Sequence, residues 1–232
     1  GSLSKEIALF LEKAVKAGYN IFISGGTGSG KTTFLNALSE YIPKDERVIT
    51  IEDSAELQLN GISNLVRLET REAGFEGVHS IGIRDLIRTA LRMRPSRLIV
   101  GECRGAEAID LLSANNTGHS GSLGTGHANS TSDMIGRLET MVLMGMEIPV
   151  SAIRGQIASG IDLFVHLGRL RDKSRKVLEI AELEGVVAGE IRLHILYRFL
   201  ETGEEEGSIK GRWEKTGELL HREKWIAAGF QN

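Results

Sequence analysis

A glycine-rich segment over residues 25–33 has the residue types and the spacing of a phosphate-binding loop. It matches the pattern G-x-x-x-x-G-K-[ST], with Gly25, Gly30, Lys31 and Thr32 at the fixed positions. Glycines allow backbone angles that point successive N–H groups at an anion, and the start of the following helix adds partial positive charge. In such a loop the lysine reaches the β- and γ-phosphates of a nucleoside triphosphate, and the threonine hydroxyl ligates Mg²⁺.

The loop lies in the sequence context that the motif requires. A short apolar run at residues 21–23 precedes it, and a helix-competent segment follows. A glycine turn that happens to precede a lysine is the alternative interpretation, and the flanking strand and helix argue against it. The predicted nucleotide-binding residues are Gly25, Gly26, Thr27, Gly28, Ser29, Gly30, Lys31, Thr32 and Thr33.

Two glutamates follow apolar runs and could serve phosphoryl transfer to water. Glu102 comes after residues 97–100 and could hold Mg²⁺ through its water shell, because Mg²⁺ gives up water reluctantly. Glu52 comes after residues 47–51 and could polarise the attacking water. Each could instead be a solvated acid at the end of a strand. Two convergent carboxylates favour the catalytic interpretation, and the sequence leaves open which of them is the general base.

Two histidines flank a glycine-rich strand predicted within residues 118–126. His119 lies at its start and His127 follows its end. A lone histidine is more often a structural residue than a ligand. An imidazole beside a phosphate site could nevertheless contact the γ-phosphate and respond to its loss. We therefore include both histidines among the candidate site residues.

These side chains need a scaffold that brings them together, and the apolar pattern predicts one. Predicted helices cover residues 3–17, 83–93, 105–115, 132–144 and 149–160, and one more helix follows the phosphate loop. Predicted strands cover residues 21–23, 47–51, 65–68, 97–100 and 121–126, and a glycine-bearing loop covers residues 74–82. Alternating strands and helices predict an α/β fold with a mostly parallel sheet, whose ligand site lies at the carboxyl ends of the strands.

The last third of the chain has a different pattern. Residues 163–167, 176–183 and 191–199 alternate or run apolar, with β-branched residues and no intervening helix. This pattern predicts an antiparallel extension of the sheet. The acidic stretch at residues 201–207 is interpreted as a solvated turn. Residues 201–232 are treated as a tail without an assigned structure.

A row of arginines recurs every fourth residue on the helix predicted at residues 83–93. Its members are Arg84, Arg88 and Arg92. Like charges at this spacing repel by roughly a few tenths of a kcal/mol per pair. The row is therefore either a solvated face or a surface that meets an acidic neighbour or subunit.

Composition limits the classes of protein that fit. The chain of 232 residues is 41% hydrophobic and 25% charged, which is ordinary for a soluble globular protein. A net charge of -3 and 5% aromatic residues argue against a nucleic-acid partner. Cys103 is the only cysteine, so an internal disulfide is excluded. No apolar run approaches the roughly 20 residues of a membrane-spanning helix.

Several ordered segments resemble the type II/IV secretion ATPases. The Walker A motif is SGGTGSGKTT (24–33), and the Asp box is VITIEDSAELQL (48–59). The arginine segment is VRLETRE (66–72), and the Walker B segment is IRDLIRTALRMRPSRLIVGECRGAEAIDLL (83–112). The His box is NTGHSGSLGTGHANS (116–130). The continuation at residues 137–144 and 153–180 is most similar to the CpaF/TadA branch, the assembly ATPases of tight-adherence (Flp) pili. The resemblance covers residues from about 4 to 200.

The resemblance implies a RecA-like P-loop NTPase motor domain over residues 3–200. It implies Mg²⁺-dependent ATP hydrolysis in a homo-hexamer that is cytoplasmic and peripheral at the bacterial inner membrane. The motor would act on a polytopic membrane platform, and through it on pilin, in Tad/Flp pilus assembly or protein secretion. The family also carries an N-terminal domain that closes over the nucleotide. Nothing before Ser4 can supply that domain, so the sequence is interpreted as an isolated motor domain.

The resemblance also implies roles for particular residues. Arg67 and Arg71 match the arginines that complete the family's site, although both could be surface residues of a strand.

The His box of the family usually reads G-S-L-S-T-x-H-A-N. Here Gly124 replaces a serine and Gly126 occupies a position that is often larger, so the strand before His127 is expected to be loosened.

Two other functions compete with a hydrolysing motor. RecA-like cores also translocate nucleic acid, but the chain has no basic tract interleaved with aromatic residues. A nucleotide-gated scaffold that does not hydrolyse ATP is the other alternative. The presence of Lys31, Thr32, Glu52 and Glu102 together argues against such a scaffold.

Overall fold

The computed structural model describes residues 1–73 and 79–231. Its helices are α1 (Lys5–Lys16), α2 (Lys31–Ser39), α3 (Ile83–Leu91), α4 (Glu107–Asn116), α5 (Thr131–Gly145), α6 (Val150–Gly160) and α7 (Glu223–Ala227). Its strands are β1 (Ile21–Gly25), β2 (Arg47–Glu52), β3 (Asn64–Glu69), β4 (Arg97–Val100), β5 (Leu123–His127), β6 (Leu163–Arg169), β7 (Arg175–Val187), β8 (Glu190–Glu205) and β9 (Ser208–Lys215). Part of the loop predicted at residues 74–82 lies outside the described residues.

All the strands of the described chain belong to one sheet, in the order β3-β2-β4-β5-β1-β6-β7-β8-β9. The strands from β3 to β6 in this order run parallel, and β7, β8 and β9 are added antiparallel. This confirms the predicted α/β fold with a mostly parallel sheet and an antiparallel C-terminal extension. None of the helices in the described part of the chain has both the length and the apolar character needed to cross a bilayer.

Helices cover both faces of the sheet, and successive strand residues point to opposite apolar clusters. Helices α1 and α2 pack on the face to which Ile21 and Ile23 of β1 point. Helices α3, α4, α5 and α6 pack on the other face, to which Phe22 points. Because both faces are covered, the central strands are continuous apolar runs, and this is why the sequence showed them so clearly.

The parallel strands bring their carboxyl ends to one edge of the sheet. Gly25 at the end of β1 lies in register with His127 at the end of β5. Glu52 ends β2, and Glu102 follows the end of β4. Four separate elements therefore deliver polar groups to the edge at which the phosphate loop begins, where ligands bind in open α/β sheets.

The arginine row on α3 meets an acidic side chain of its own chain. Nε of Arg84 lies 2.7 Å and Nε of Arg88 lies 2.8 Å from the two carboxylate oxygens of Asp110 on α4. Arg92 at the end of the row is exposed. Arg84 and Arg88 therefore meet an acidic neighbour, as one of the two interpretations of the row expected, and Asp110 connects α3 to α4 through them.

The prediction of a solvated turn over residues 201–207 is wrong. Strand β8 runs through most of this stretch and pairs with β9, and only residues 206–207 turn. The acidic side chains stand on an exposed two-stranded ribbon, where Arg171 pairs with Glu201 and Glu204. Solvated acids are compatible with an exposed strand, so acidity did not distinguish a strand from a turn.

The residues after position 200 pack onto α1 and the sheet. Position 200, where the sequence suggested the end of the motor domain, lies inside β8. Buried Glu182 of β7 accepts hydrogen bonds from the backbone N–H groups of residues 220–221, both at 2.7 Å. The ring of Trp225 stacks on Phe10 of α1, with centroids 5.8 Å apart. The C-terminal residues thus share the apolar cluster that supports α1 and α2.

Replacement of Trp225 should destabilise the whole sheet. Its side chain is 9% exposed, whereas its neighbour Ile226 on α7 is 64% exposed. We expect Trp225→Ala to lower the free energy of unfolding by about 3 kcal/mol, because it leaves a cavity against α1. The matched control Ile226→Ala should change that free energy by about 0.5 kcal/mol or less. Urea denaturation measures both, and equal losses in the two variants would contradict the packing described here.

Candidate nucleotide site

The phosphate loop joins β1 to α2 and adopts a conformation that needs glycine. Gly28 and Gly30 have φ angles of 72° and 95°, in the left-handed region that other side chains disfavour. The backbone N–H of Ser29 donates to the carbonyl of Gly26 at 3.2 Å and closes the turn. Among the described residues, the buried Ser29 hydroxyl has no hydrogen-bond partner. The loop therefore contains a polar atom that still needs a partner.

The other predicted binding residues lie on the open side of the loop. Gly26, Thr27 and Gly28 are exposed. Thr32 is half-buried and Thr33 is exposed in the first turn of α2. A ligand at the N-terminus of α2 can therefore reach the loop backbone and the Thr32 hydroxyl from solvent.

Lys31 is buried and fully engaged at the start of α2. Its ammonium donates to the carbonyl oxygens of Gly25 and Gly26, each at 3.0 Å. Its third contact is Nδ1 of His127 at 3.2 Å. Burial lowers the pKa of Lys31, and the negative charge of Glu102 opposes that shift. The three contacts match the three donors of an ammonium group.

His127 connects Lys31 to Glu102. Since the Lys31 ammonium can only donate, Nδ1 is the acceptor, and a neutral ring carries its proton on Nε2. Nε2 lies 2.7 Å from Oε1 of Glu102. These two atoms are close but poorly aligned, so Oε1 remains a buried oxygen without a hydrogen bond among the described residues. Burial first, and then the positive charge of Lys31, lower the pKa of His127, while Glu102 raises it.

Glu102 continues the polar chain toward β2. Its Oε2 accepts from Nη2 of Arg104 at 2.5 Å, and Nη1 of Arg104 lies 3.4 Å from Asp53. Sequence reasoning missed Arg104, although its place two residues after Glu102 was a usable signal. The chain of contacts runs from Lys31 through His127 and Glu102 to Arg104 and Asp53.

Glu52 lies next to this chain with one oxygen already occupied. Its side chain is buried, and Oε1 accepts from the backbone N–H groups of Glu56 at 2.9 Å and Leu57 at 2.8 Å. Gly101 packs closely against it, since a Cβ there would lie 3.0 Å from Cγ of Glu52. The structure therefore brings both predicted carboxylates to the phosphate edge, and Oε2 of Glu52 takes no part in these two backbone contacts.

The residues present fit a magnesium–nucleotide complex. The buried oxygens of Ser29 and Glu102 lack hydrogen bonds among the described residues. Thr32 stands at the N-terminus of α2, where an anion is favoured. Mg²⁺ in phosphoryl-transfer sites is held by one or two such protein groups together with substrate phosphates.

His119 is not part of this group, which corrects its inclusion among the candidate site residues. It precedes β5, whereas His127 ends β5, so the two rings lie at opposite ends of the strand. Nδ1 of His119 lies 3.3 Å from the carbonyl of Ala114 at the end of α4. Because β5 runs parallel to β1, its start faces away from the phosphate loop.

Arg67 and Arg71 also lie away from the phosphate loop of their own chain. Arg67 is exposed on β3, the edge strand, and Arg71 follows it and donates to the carbonyl of His79 at 3.2 Å. Strands β2, β4 and β5 separate β3 from β1. At about 4.8 Å per strand this separation is about 19 Å, too far for an arginine to bridge.

The expectation that Gly124 and Gly126 loosen β5 is wrong. A Cβ at Gly126 would lie 3.0 Å from both Met134 and Phe22, and one at Gly124 would lie 3.3 Å from Phe22. The glycines provide room for side chains that pack against the strand. They therefore help to hold β5, and His127 at its end, against β1.

Two further contacts of the loop region were not apparent from the sequence. Nε of Arg175 on β7 donates to the carbonyl of Gly28 at 2.9 Å. Nδ1 of His166 on β6 lies 2.9 Å from the hydroxyl of Ser24 on β1. Burial lowers the pKa of His166. Neither residue belongs to a recognisable local motif, so only the pairing of strands reveals them.

Residues 1–201 match the protein family described as type II/IV secretion system protein. This match covers most of the chain, so the chain belongs to that family. The family resemblance seen in the sequence is confirmed, and the CpaF/TadA branch stays a prediction.

Two relatives and one solved structure show how similar the chain is to known members. One relative is a protein of Mycobacterium tuberculosis (strain CDC 1551 / Oshkosh) whose name refers to conjugal transfer. It is 40% identical over 183 residues, which cover 79% of this chain and 51% of that protein. The type IV secretion system protein PtlH of Bordetella pertussis is 40% identical over 184 residues, or 77% of this chain and 54% of PtlH. The crystal structure of the VirB11 ATPase of Brucella suis, with sulphate, has a TM-score of 0.70 and 36% identity over 76% of this chain and 52% of that one. The chain spans about half the length of each.

The ring of His127 should titrate below its usual pKa of 6.5 in the nucleotide-free protein. Burial of the ring disfavours its charged form, and protonation would also place a second positive charge 3.2 Å from the Lys31 ammonium, so the neutral ring is favoured. Lys31→Ala should move the midpoint upward, and the remote variant Lys16→Ala should leave it in place. NMR titration of the ring protons measures this. A midpoint at or above 6.5, or no upward movement in Lys31→Ala, would contradict the arrangement.

Proposed function

We propose that this chain is the ATP-hydrolysing motor domain of a type IV secretion or pilus-assembly machine, and that it works with Mg²⁺. The observation that carries the proposal is the series of contacts at the phosphate loop. Lys31 lies 3.2 Å from His127, and His127 lies 2.7 Å from Glu102. A cation, an imidazole and a carboxylate side by side supply charge neutralisation, contact with a γ-phosphate and a means to orient water.

Each group has a defined task in the proposed reaction. The loop N–H groups and Lys31 bind the β- and γ-phosphates. Thr32 and Glu102 would hold Mg²⁺, which supplies charge neutralisation at the phosphate oxygens when it is bound. Oε2 of Glu52, or Glu102 itself, orients the attacking water. His127 contacts the γ-phosphate, and loss of that phosphate lets the ring return to its contacts with Lys31 and Glu102.

The proposed setting is a secretion or pilus machine at the bacterial inner membrane. The names of the relatives refer to conjugal transfer and type IV secretion, which supports this setting. We propose that the motor is cytoplasmic and peripheral to the membrane, and that it assembles as a homo-hexamer. Its partner would be a polytopic platform protein, through which it acts on pilin or on a secreted protein. The finer assignment to Tad/Flp pili rests on the residues at 137–144 and 153–180.

We also propose that Arg67 and Arg71 act on the nucleotide of a neighbouring subunit. Both lie at the β3 edge, about 19 Å from the phosphate loop of their own chain. An edge strand at the surface can face the next subunit of a ring. An arginine supplied by a neighbour stabilises the charge that develops on the transferred phosphoryl group.

ATP turnover and ATP binding of single variants test the proposed function. Lys31→Ala should lose ATP binding, because it removes the cation that contacts the β- and γ-phosphates. Glu52→Gln and Glu102→Gln should still bind ATP. The variant that loses the general base should turn ATP over at least about 100-fold more slowly than the wild type. The matched control Glu56→Gln, an exposed acid beside Glu52, should keep wild-type turnover.

The same measurements separate the competing functions. Wild-type turnover in both glutamine variants would contradict the proposed roles of the two carboxylates. ATP binding without turnover in an assembled wild-type ring would favour the nucleotide-gated scaffold. Hydrolysis that DNA stimulates, with steeply salt-dependent binding, would favour a nucleic-acid translocase.

A further inference from the structure

The turn between β6 and β7 places two arginines beside the phosphate loop. Strand β1 pairs with β5 on one side and with β6 on the other. His127 therefore lies on one side of the loop, and the β6–β7 hairpin lies on the opposite side. Arg169 at the end of β6 and Arg175 at the start of β7 are cross-strand partners in this hairpin.

The two arginines extend the sheet face that carries α2. Leu167 and Val177, each two residues away from Arg169 and Arg175 along its strand, form a cross-strand pair, and both belong to the apolar cluster under α1 and α2. Side chains two residues apart on a strand point to the same face. Arg169 and Arg175 consequently stand on the α2 side, past the end of the apolar cluster and level with the phosphate loop.

The side chain of Arg175 lies along the loop. Its Nε donates to the carbonyl of Gly28 at 2.9 Å. A Cβ at Gly30 would lie 3.2 Å from Cδ of Arg175, so the glycine leaves room for this side chain. A guanidinium has five N–H donors, and the contact with Gly28 uses one of them. Among the described residues, the outer nitrogens have no hydrogen-bond partner, and they lie beside the N-terminus of α2.

The charge of this pair is not balanced in the described part of the chain. Arg171 in the same hairpin forms ion pairs with Glu201 and Glu204. Among the described residues, neither Arg169 nor Arg175 forms an ion pair with a carboxylate. Like charges directly opposite each other on paired strands repel. An anion bound between the hairpin and the loop would relieve that repulsion.

We propose that Arg175, with Arg169 beside it, binds the α-phosphate side of the nucleotide. The inference rests on the proposed function. Glu102 and His127 place the γ-phosphate on the β5 side of the loop, so the phosphate chain continues toward β6 and β7. There the guanidinium of Arg175 meets the α-phosphate, which ATP and ADP share. A planar guanidinium donates two parallel hydrogen bonds to a phosphate, and such charge-assisted bonds are the strong ones.

The test compares Arg175→Ala with Arg171→Ala, which removes the same charge from the same hairpin. Calorimetric titration with ADP and with a non-hydrolysable ATP analogue gives the dissociation constants. Arg175→Ala should weaken both ligands by about tenfold or more, because a charge-assisted contact is lost. Arg171→Ala should stay within about twofold of wild type. In turnover assays, the larger part of the Arg175→Ala defect should appear in KM rather than in kcat.

A spectroscopic measurement distinguishes ligand contact from mere support of the loop. The ³¹P resonance of the α-phosphate of bound ADP should move in Arg175→Ala, while that of the β-phosphate should stay near its wild-type position. Unchanged ADP affinity in Arg175→Ala would overturn the inference, as would weaker binding of the ATP analogue alone. An equal loss of affinity in Arg171→Ala, or an α-phosphate resonance that does not move in Arg175→Ala, would also overturn it. A wild-type protein that binds no nucleotide would instead overturn the proposed function itself.

Discussion

The site depends on one buried ammonium group, that of Lys31. A buried cation must be surrounded by acceptors, and the carbonyls of Gly25 and Gly26 and the ring of His127 use all its donors. Lys31 thereby ties the phosphate loop to the end of β5, and His127 extends the connection to Glu102. A nucleotide must exchange some of these contacts for phosphate oxygens. Its arrival therefore acts on two neighbouring parts of the sheet as well as on the loop.

The sheet holds the loop from both sides, by different means. On one side the parallel register places His127 opposite Gly25, and glycines in β5 let Phe22 and Met134 pack closely against that strand. On the other side the antiparallel hairpin brings Arg175 onto the outer surface of the loop. The γ-phosphate end and the α-phosphate end of a nucleotide would thus be held by different halves of the sheet.

The fold was largely predictable because the central strands are buried on both faces and appear as apolar runs. The phosphate loop was predictable because its spacing is local. His119 could have been excluded from the sequence, because it precedes β5 and ligands bind at the carboxyl ends of parallel strands. Arg175 was missed because 147 residues separate it from Gly28, and no local pattern joins them. The acidic stretch at 201–207 was misread because polarity describes exposure, and an exposed ribbon is as polar as a turn.

The central claim is that the nucleotide replaces the contacts that hold Lys31. A crystal structure of the protein with Mg²⁺ and a non-hydrolysable ATP analogue tests this claim most directly. The account predicts that Nζ of Lys31 leaves the carbonyls of Gly25 and Gly26 for phosphate oxygens, with His127 and a carboxylate of Glu52 or Glu102 beside the γ-phosphate. A nucleotide bound elsewhere, or bound at the loop while Lys31 keeps all its present contacts, would contradict the account.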